Sequence, residues 1–369
     1  MRHLIPLTLG LLLLQGCVNS TPETYTEADF ESVRKFDAHV HANVDSPVFM
    51  EVAQQSNFEI LSINVDYPDF PIIDRQAAVA EALHDRDAST FHYAATFRMD
   101  NFGTDAWEED MIARISRAVD DGAVGVKVWK NVGMVEDDAD GNRIFLNDPR
   151  FDALAAHLKL EGVPLIAHQG EPRNCWLPLD EMTTNNDRLY FSSHPEYYMF
   201  LHPEEPRYEE LMGVRDEFVA KHPDLNVVGA HLASLEWSVD RIGAFLDAYP
   251  NATVDMAARM SELQNQSNQD REKVRDFFIK YQDRILYGSD LTHNPMSMEL
   301  REQNPPVADD FAAQADTVWR ADWRYLATEE SQFVHALQVD TKGLNLPRKV
   351  IDKIYYDNAI RVFGLPDRS

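Results

Sequence analysis

The chain is poor in cysteine, with two in 369 residues. That excludes a cysteine-stapled scaffold and any zinc site built from clustered thiolates. One of the two, Cys17, belongs to a leader-like start, so the folded part keeps only Cys175 and forms no internal disulfide. Cys175 has no defined base partner in the sequence and is not cast as a nucleophile. Basic residues are scarce: 34 Lys and Arg stand against 62 Asp and Glu, a formal net charge of -28. This balance argues against nucleic acid and against anionic membrane surfaces as partners, since both reward basic patches. Long apolar runs are missing too. The stretch Leu4 to Leu14 has the length of a signal-peptide core and is too short to span a bilayer. There is no internal repeat and no low-complexity tract.

What the chain does have is alternation. Short apolar runs at 35–40, 59–65, 91–97, 125–129, 164–167, 226–230, 252–256 and 284–288 read as strands. Helical patterns fall between them at 48–56, 74–87, 107–121, 150–161, 208–222, 235–248 and 272–282, with a last one at 349–363. Asp148-Pro149 is a helix-start signal, and Gly122 and Gly162 fall where a left-handed C-terminal cap is wanted. This order predicts a parallel sheet with right-handed crossovers, most simply a distorted α/β (β/α)8 barrel over 34–369. An open doubly wound sheet is the alternative. Two connections, 170–207 and 291–348, are long enough to stand over one face of the barrel. They carry Trp176, Tyr190, Tyr197, Tyr198, Trp319 and Trp323, candidates for a lid or pocket wall.

The strand ends carry the chemistry. His39 and His41 close the first apolar run, two apart and so on one face of a strand. Lys127, His168, His231 and Asp290 end or nearly end the fourth, fifth, sixth and eighth. Imidazoles and a carboxylate gathered at strand C-termini are what a catalytic metal centre on a barrel rim requires. A divalent ion there would lower the pKa of a bound water toward ~7. Asp290 could both touch the metal and take that proton, while His231 polarises a substrate carbonyl. In 125–129 the alternation turns Val126 and Val128 outward and Lys127 and Trp129 inward. An inward lysine needs a partner: Asp255, Asp290, an anionic substrate, or a carboxylate added to its own amine. Arg173 and Arg259 are further candidates to hold a substrate carboxylate, with Glu171 beside the first. The acidic run from Glu136 to Gly141 reads as a solvated turn, because it lacks the spacing of a calcium loop.

In order, His39-Val-His41, Gly125-Val-Lys127, Ile166-Ala-His168, Gly229-Ala-His231 and Tyr287-Gly-Ser-Asp290 resemble the metal-site series of the amidohydrolase superfamily. The branch most similar includes aminocarboxymuconate-semialdehyde decarboxylase and aromatic-acid decarboxylases. The resemblance implies a barrel with one divalent metal, zinc, on His39, His41, His168 and Asp290, with His231 catalytic. It leaves open, as the less favoured alternative, a two-metal form in which carboxylated Lys127 bridges and His231 binds the second ion. The expected activity is hydrolysis of an amide, ester or lactone bond in a small molecule, with metal-dependent decarboxylation as the alternative. A binding module without turnover is the third reading, disfavoured because a pure binder needs no metal-activated water. A homo-oligomer is compatible with all three. Leu14-Gln15-Gly16-Cys17 resembles a bacterial lipobox. It implies a signal peptide over 1–16, a lipidated Cys17 and a polar tether over 17–33. The expected location is the cell envelope, on the outer membrane, with the membrane touched only through the lipid.

Overall fold

The computed structural model describes residues 24–295 and 309–367. Cys17 and the lipobox lie outside them.

Nine strands form one parallel sheet in the order β8-β7-β6-β5-β4-β3-β2-β1-β9. They are β1 Lys35–Ala42, β2 Phe58–Ile63, β3 Phe91–Thr96, β4 Val126–Val128, β5 Leu165–Ala167, β6 Val227–Gly229, β7 Ala252–Asp255, β8 Ile285–Leu286 and β9 Thr292–His293. The order is sequential with no reversal, which excludes the doubly wound alternative. The short β8 and β9 are two pieces of one eighth strand. The Ala38 amide donates to the Tyr287 carbonyl at 2.9 Å, and the His41 amide to that of Leu291 at 2.8 Å, so both ends of the piece lie along β1. The break falls at Asp290, whose φ is 68°. A non-glycine residue in this region is uncommon and often marks a functional site.

Two apolar layers follow from the period of two along each strand. Val126, Val128, Leu165 and Val227 pack outward with the helices. Phe36, Ala38, Leu61, Ile63, Ile166 and Val228 fill the lumen. The last helical segment runs Arg348–Asp352, passes through a π turn at Lys353–Asp357 and continues as Asn358–Val362. Its Tyr356 and the following Phe363 join the lumen cluster and close the barrel base.

The first strand contains a device that simple alternation misses. Asp37 pairs with Ile60 and Val40 with Ser62, so β1 spends one residue more than β2 over that interval. Such a bulge re-aims side chains. Below it, Phe36 and Ala38 face the lumen, and Asp37 points out to accept from the Trp319 indole at 2.8 Å. Above it, His39 and His41 face inward. Strict alternation would have put Asp37 and His39 on one face.

The two long connections carry structure of their own. The first holds helix Asn185–Ser193 among short 3-10 turns. The second holds helix Asp309–Ala327 and the hairpin of β10 Ser331–Val334 with β11 Val339–Lys342. Trp319 and Trp323, expected as lid aromatics, are instead core residues; Trp319 stacks on Phe58 with ring centres 4.4 Å apart. They are anchored because helix Asp309–Ala327 closes the outer wall beside β1. Residues 24–33, read from sequence as part of a tether, also pack. Phe30 is buried, Tyr25 donates to Asp352 at 2.7 Å, and Arg324 pairs with Glu27. The acidic turn is solvated as expected, with Asp138 accepting from the amides of Asp140 and Asn142.

Candidate metal centre

The strand C-termini open into a chamber of about 250 Å3. His39, His41, Lys127, His168, His231 and Asp290 all line it, as do Trp129 and Arg259. The sequence-predicted constellation is thus brought to one place, except for Arg173. That residue lies outside the chamber, with its guanidinium 4.4 Å from the ring centre of Trp237 and its amide donating to Glu236. The cation–π contact holds its guanidinium against Trp237, which is likewise not among the chamber residues.

Three histidines are held in the same way. The Nδ1 of His39 lies 2.9 Å from Asp255, that of His41 2.7 Å from the Ile63 carbonyl, and that of His231 2.8 Å from the Ala257 carbonyl. With each Nδ1 so engaged, Nε2 is the atom left for other partners: that of His39 lies 3.4 Å from Lys127 and that of His41 3.2 Å from Asp290. This is how metal-ligating histidines are ordinarily oriented. The Nε2 of His168 is buried and has no partner among the described residues. An orphaned buried ring nitrogen is costly unless something fills its place. Burial lowers the pKa of His39 and drives those of His168 and His231 well below the usual imidazole range, so the rings are neutral, as ligands must be. The donor set therefore fits a divalent ion.

Ligand atoms of His39, His231 and Asp290 all fall within 4.8 Å of one another. Asp290 Oδ1 is 3.2 Å from His41 Nε2 and 3.6 Å from His39 Nε2. The His168 and His231 rings are 4.2 Å apart, centre to centre. His231 thus sits among the donors as closely as the residues expected to bind a single ion. Burial works against ionisation of Asp290, but the His41 hydrogen bond leads the interactions that hold the carboxyl well below its ordinary range.

Lys127 reaches His39 Nε2 at 3.4 Å, not the expected Asp255 or Asp290. Burial pulls its pKa down to about 8, against the opposing pull of those two carboxylates. Asp255, considered from sequence only as a partner for the lysine, has a larger part. Its carboxylate accepts from the His39 ring and from the backbone amides of His231 at 2.8 Å and Ala257 at 3.1 Å. Burial alone would raise its pKa, yet His39 leads the interactions that hold it at about 2.

The backbone under His231 is strained. His231, Leu232, Ala233 and Ser234 have φ of 56, 58, 56 and 53°, one turn of left-handed helix without a glycine. This handedness costs roughly 1–2 kcal/mol per residue. Gly229 makes room beneath: a Cβ there would lie 2.6 Å from that of Ala233. Tyr208 donates to the Ser234 carbonyl at 2.5 Å, and the buried Arg215 donates to that of Ala233. Arg215 and Tyr208 were not foreseen, since nothing in an amphipathic helix pattern marks which side chain brings a strained turn to heel. Tyr67, Phe70 and Lys130 also line the chamber unforeseen, from irregular loops with no periodic signal.

Among curated proteins, none matches the chain in sequence. Solved structures match in fold. The 2,6-dihydroxybenzoate decarboxylase from Rhizobium is 16% identical with a TM-score of 0.51, over 90% of this chain and 99% of that one. The 5-carboxyvanillate decarboxylase of Novosphingobium aromaticivorans, complexed with manganese, is 11% identical with a TM-score of 0.51, over 91% and 97%. At such identities the likeness establishes the shared fold. The Amidohydrolase family profile matches residues 36–365, a span that contains every chamber residue named above. The chain belongs to the amidohydrolase family, and its His39, His231 and Asp290 could hold a metal ion.

Proposed function

We propose that this enzyme acts on a small carboxylate-bearing molecule and removes the carboxylate by metal-dependent decarboxylation. The observation that carries the reading is the charge of the chamber. Lys127, Lys130 and Arg259 line it against only two carboxylates, Asp290 and Glu171, and Glu171 is already paired with Lys130. The Nε–H of Arg259 is buried and has no acceptor among the described residues. A bound divalent ion would add to this positive excess, and an anion is the complementary ligand. The structural relatives named above are decarboxylases, which agrees with this reading.

The metal would be held by His39, His41, His168 and Asp290, or by a set that draws in His231; when bound it supplies a fixed positive charge that polarises substrate oxygens. The nitrogen-rich donors favour zinc, and manganese, as in the relative from Novosphingobium, is the competing choice. Arg259 and Lys127 orient the substrate carboxylate. Asp290, ionised at rest, would take a proton from water or a substrate hydroxyl and pass it to the carbon as carbon dioxide leaves. The second reading is hydrolysis of an ester, amide or lactone, and Asp290 favours it equally, since the same carboxylate can take a proton from water. A hydroxybenzoate series assayed with metal-loaded enzyme tests the proposal. Chelator-sensitive release of carbon dioxide is expected; turnover of esters or lactones without any such release would replace it with the hydrolase.

We also propose that the enzyme is tethered to a membrane through lipidated Cys17. Fatty-acid labelling should be present in the wild type and lost in Cys17→Ala; an unlabelled, soluble wild-type protein would refute the tether.

A further inference from the structure

The metal chamber does not end at its own walls. A second cavity of about 280 Å3 lies against it, and Tyr67, Trp129, Lys130 and Glu171 line both. The Lys130–Glu171 ion pair stands at this boundary. Beyond it the lining changes in kind. The metal chamber is walled by imidazoles and charges, whereas the second cavity adds Tyr190, Tyr197 and Met199. Two of its carboxylates are paired, Glu205 with Arg143 at 2.8 Å and Glu171 with Lys130, while Glu196 stands exposed at its edge. The Tyr67 and Trp129 rings sit 4.9 Å apart at the junction, and those of Tyr190 and Tyr197 lie nearly parallel at 6.5 Å on the outer side.

We propose that the second cavity is a substrate subsite for a flat apolar group, so that the substrate is a two-part molecule. Its carboxylate end occupies the metal chamber, and an aromatic or similarly flat second moiety lies among Trp129, Tyr190 and Tyr197. The proposal deepens the reading given under Proposed function and rests on it for the carboxylate end. Size supports it. Ligand pockets ordinarily run from about 300 to 1,000 Å3. Each chamber alone falls below that range, and the two joined fall inside it. Chemistry supports it as well, because tyrosine and tryptophan faces offer large contact area with specific ring-to-ring geometry. Tyr190 is 39% exposed and Tyr197 41%, a large outlay of aromatic surface that a bound ring would cover. Lys130 at the boundary offers an ammonium donor to a polar link between the two halves.

The test is calorimetric binding of two probes, benzoate and biphenyl-4-carboxylate, to metal-loaded wild type and to Tyr190→Ala/Tyr197→Ala. Because both tyrosines are partly exposed, the double variant should fold, which a thermal melt confirms. Biphenyl-4-carboxylate is expected to bind wild type at least tenfold more tightly than benzoate. In the double variant that advantage should fall below threefold, with benzoate affinity unchanged. If benzoate binds and the biphenyl acid gains nothing, or if the gain survives in the double variant, the subsite is refuted and the carboxylate reading stands. If benzoate fails to bind while the biphenyl acid binds in a tyrosine-dependent way, the subsite stands and the carboxylate reading falls. Failure of both probes refutes both.

Discussion

Lys35 and Lys127 are both sealed from water, one at the first residue of β1 and the other within β4. Their surroundings differ. At the barrel base, Lys35 donates to the Phe30 carbonyl and, at 2.7 Å, to that of Val33, and its ammonium lies 4.5 Å from the ring centre of Phe30 and 4.9 Å from that of Phe58. Carbonyls and ring faces take the place of water, and the lysine ties residues 24–33 to the barrel. At the rim, the Lys127 ammonium has one long hydrogen-bond contact among the described residues, to His39 at 3.4 Å. Near it, His168 Nε2 and Arg259 Nε are buried without partners among the described residues. The left-handed turn at His231–Ser234 and the kink at Asp290 are at the rim too. One end of the barrel uses its polar groups to hold itself together. The other leaves some of them unpaired among the described residues and carries the strained backbone, a combination that clusters at functional sites.

Substitutions at the two ends should therefore fail differently. The largest contrast is expected from His41→Ala/His168→Ala at the rim. It should abolish metal retention by elemental analysis and reduce activity to background, while the metal-free melting profile stays close to wild type, because the apolar layers do not depend on the ion. Full stoichiometric metal in this variant would break the assignment. Asp290→Asn comes next. It preserves shape and should cut kcat by a factor on the order of 10²–10⁴, with a smaller change in substrate binding. A near-wild-type kcat with chemistry rate-limiting would take Asp290 out of the mechanism.

The smallest effect belongs to the base. Burial lowers the Lys35 pKa from 10.5 to about 7. Between those values the unfolded chain binds the proton that the folded chain has released. Stability from this group is therefore fully present above about pH 10.5 and is lost as pH falls toward 7. Lys35→Met should flatten this part of the profile, gaining less stability than wild type between pH 7 and pH 10 in urea titrations. It should leave metal content and kcat unchanged. Loss of metal in Lys35→Met would erase the distinction between the two ends.

Much of the site was legible in the chain because parallel strands all place their C-termini on one face. Residues at the ends of successive apolar runs must then meet, and His39, His41, Lys127, His168, His231 and Asp290 do. The inward turn of Lys127 and Trp129 followed from a period of two alone. Arg173 does not join them, for a reason of the same kind in reverse: it lies in an irregular loop, where no period fixes direction, and its guanidinium lies over Trp237.

By itself, then, the order of apolar runs and polar ends determined the barrel, the rim and the donor types, since these depend only on local periodicity and on the direction of parallel strands. Tertiary structure alone decided the rest. The bulge that separates Asp37 from His39 exists only as a mismatch between β1 and β2. Asp255 becomes the anchor of His39 and His231 through contacts spanning 216 and 24 positions. Trp319 becomes a core residue by bonding to Asp37 from 282 positions away. The aromatic cavity beside the metal chamber arises where the connections after β2, β4 and β5 meet. Such features are set by the packing of distant segments against one another, and one-dimensional patterning carries no record of which segments those will be.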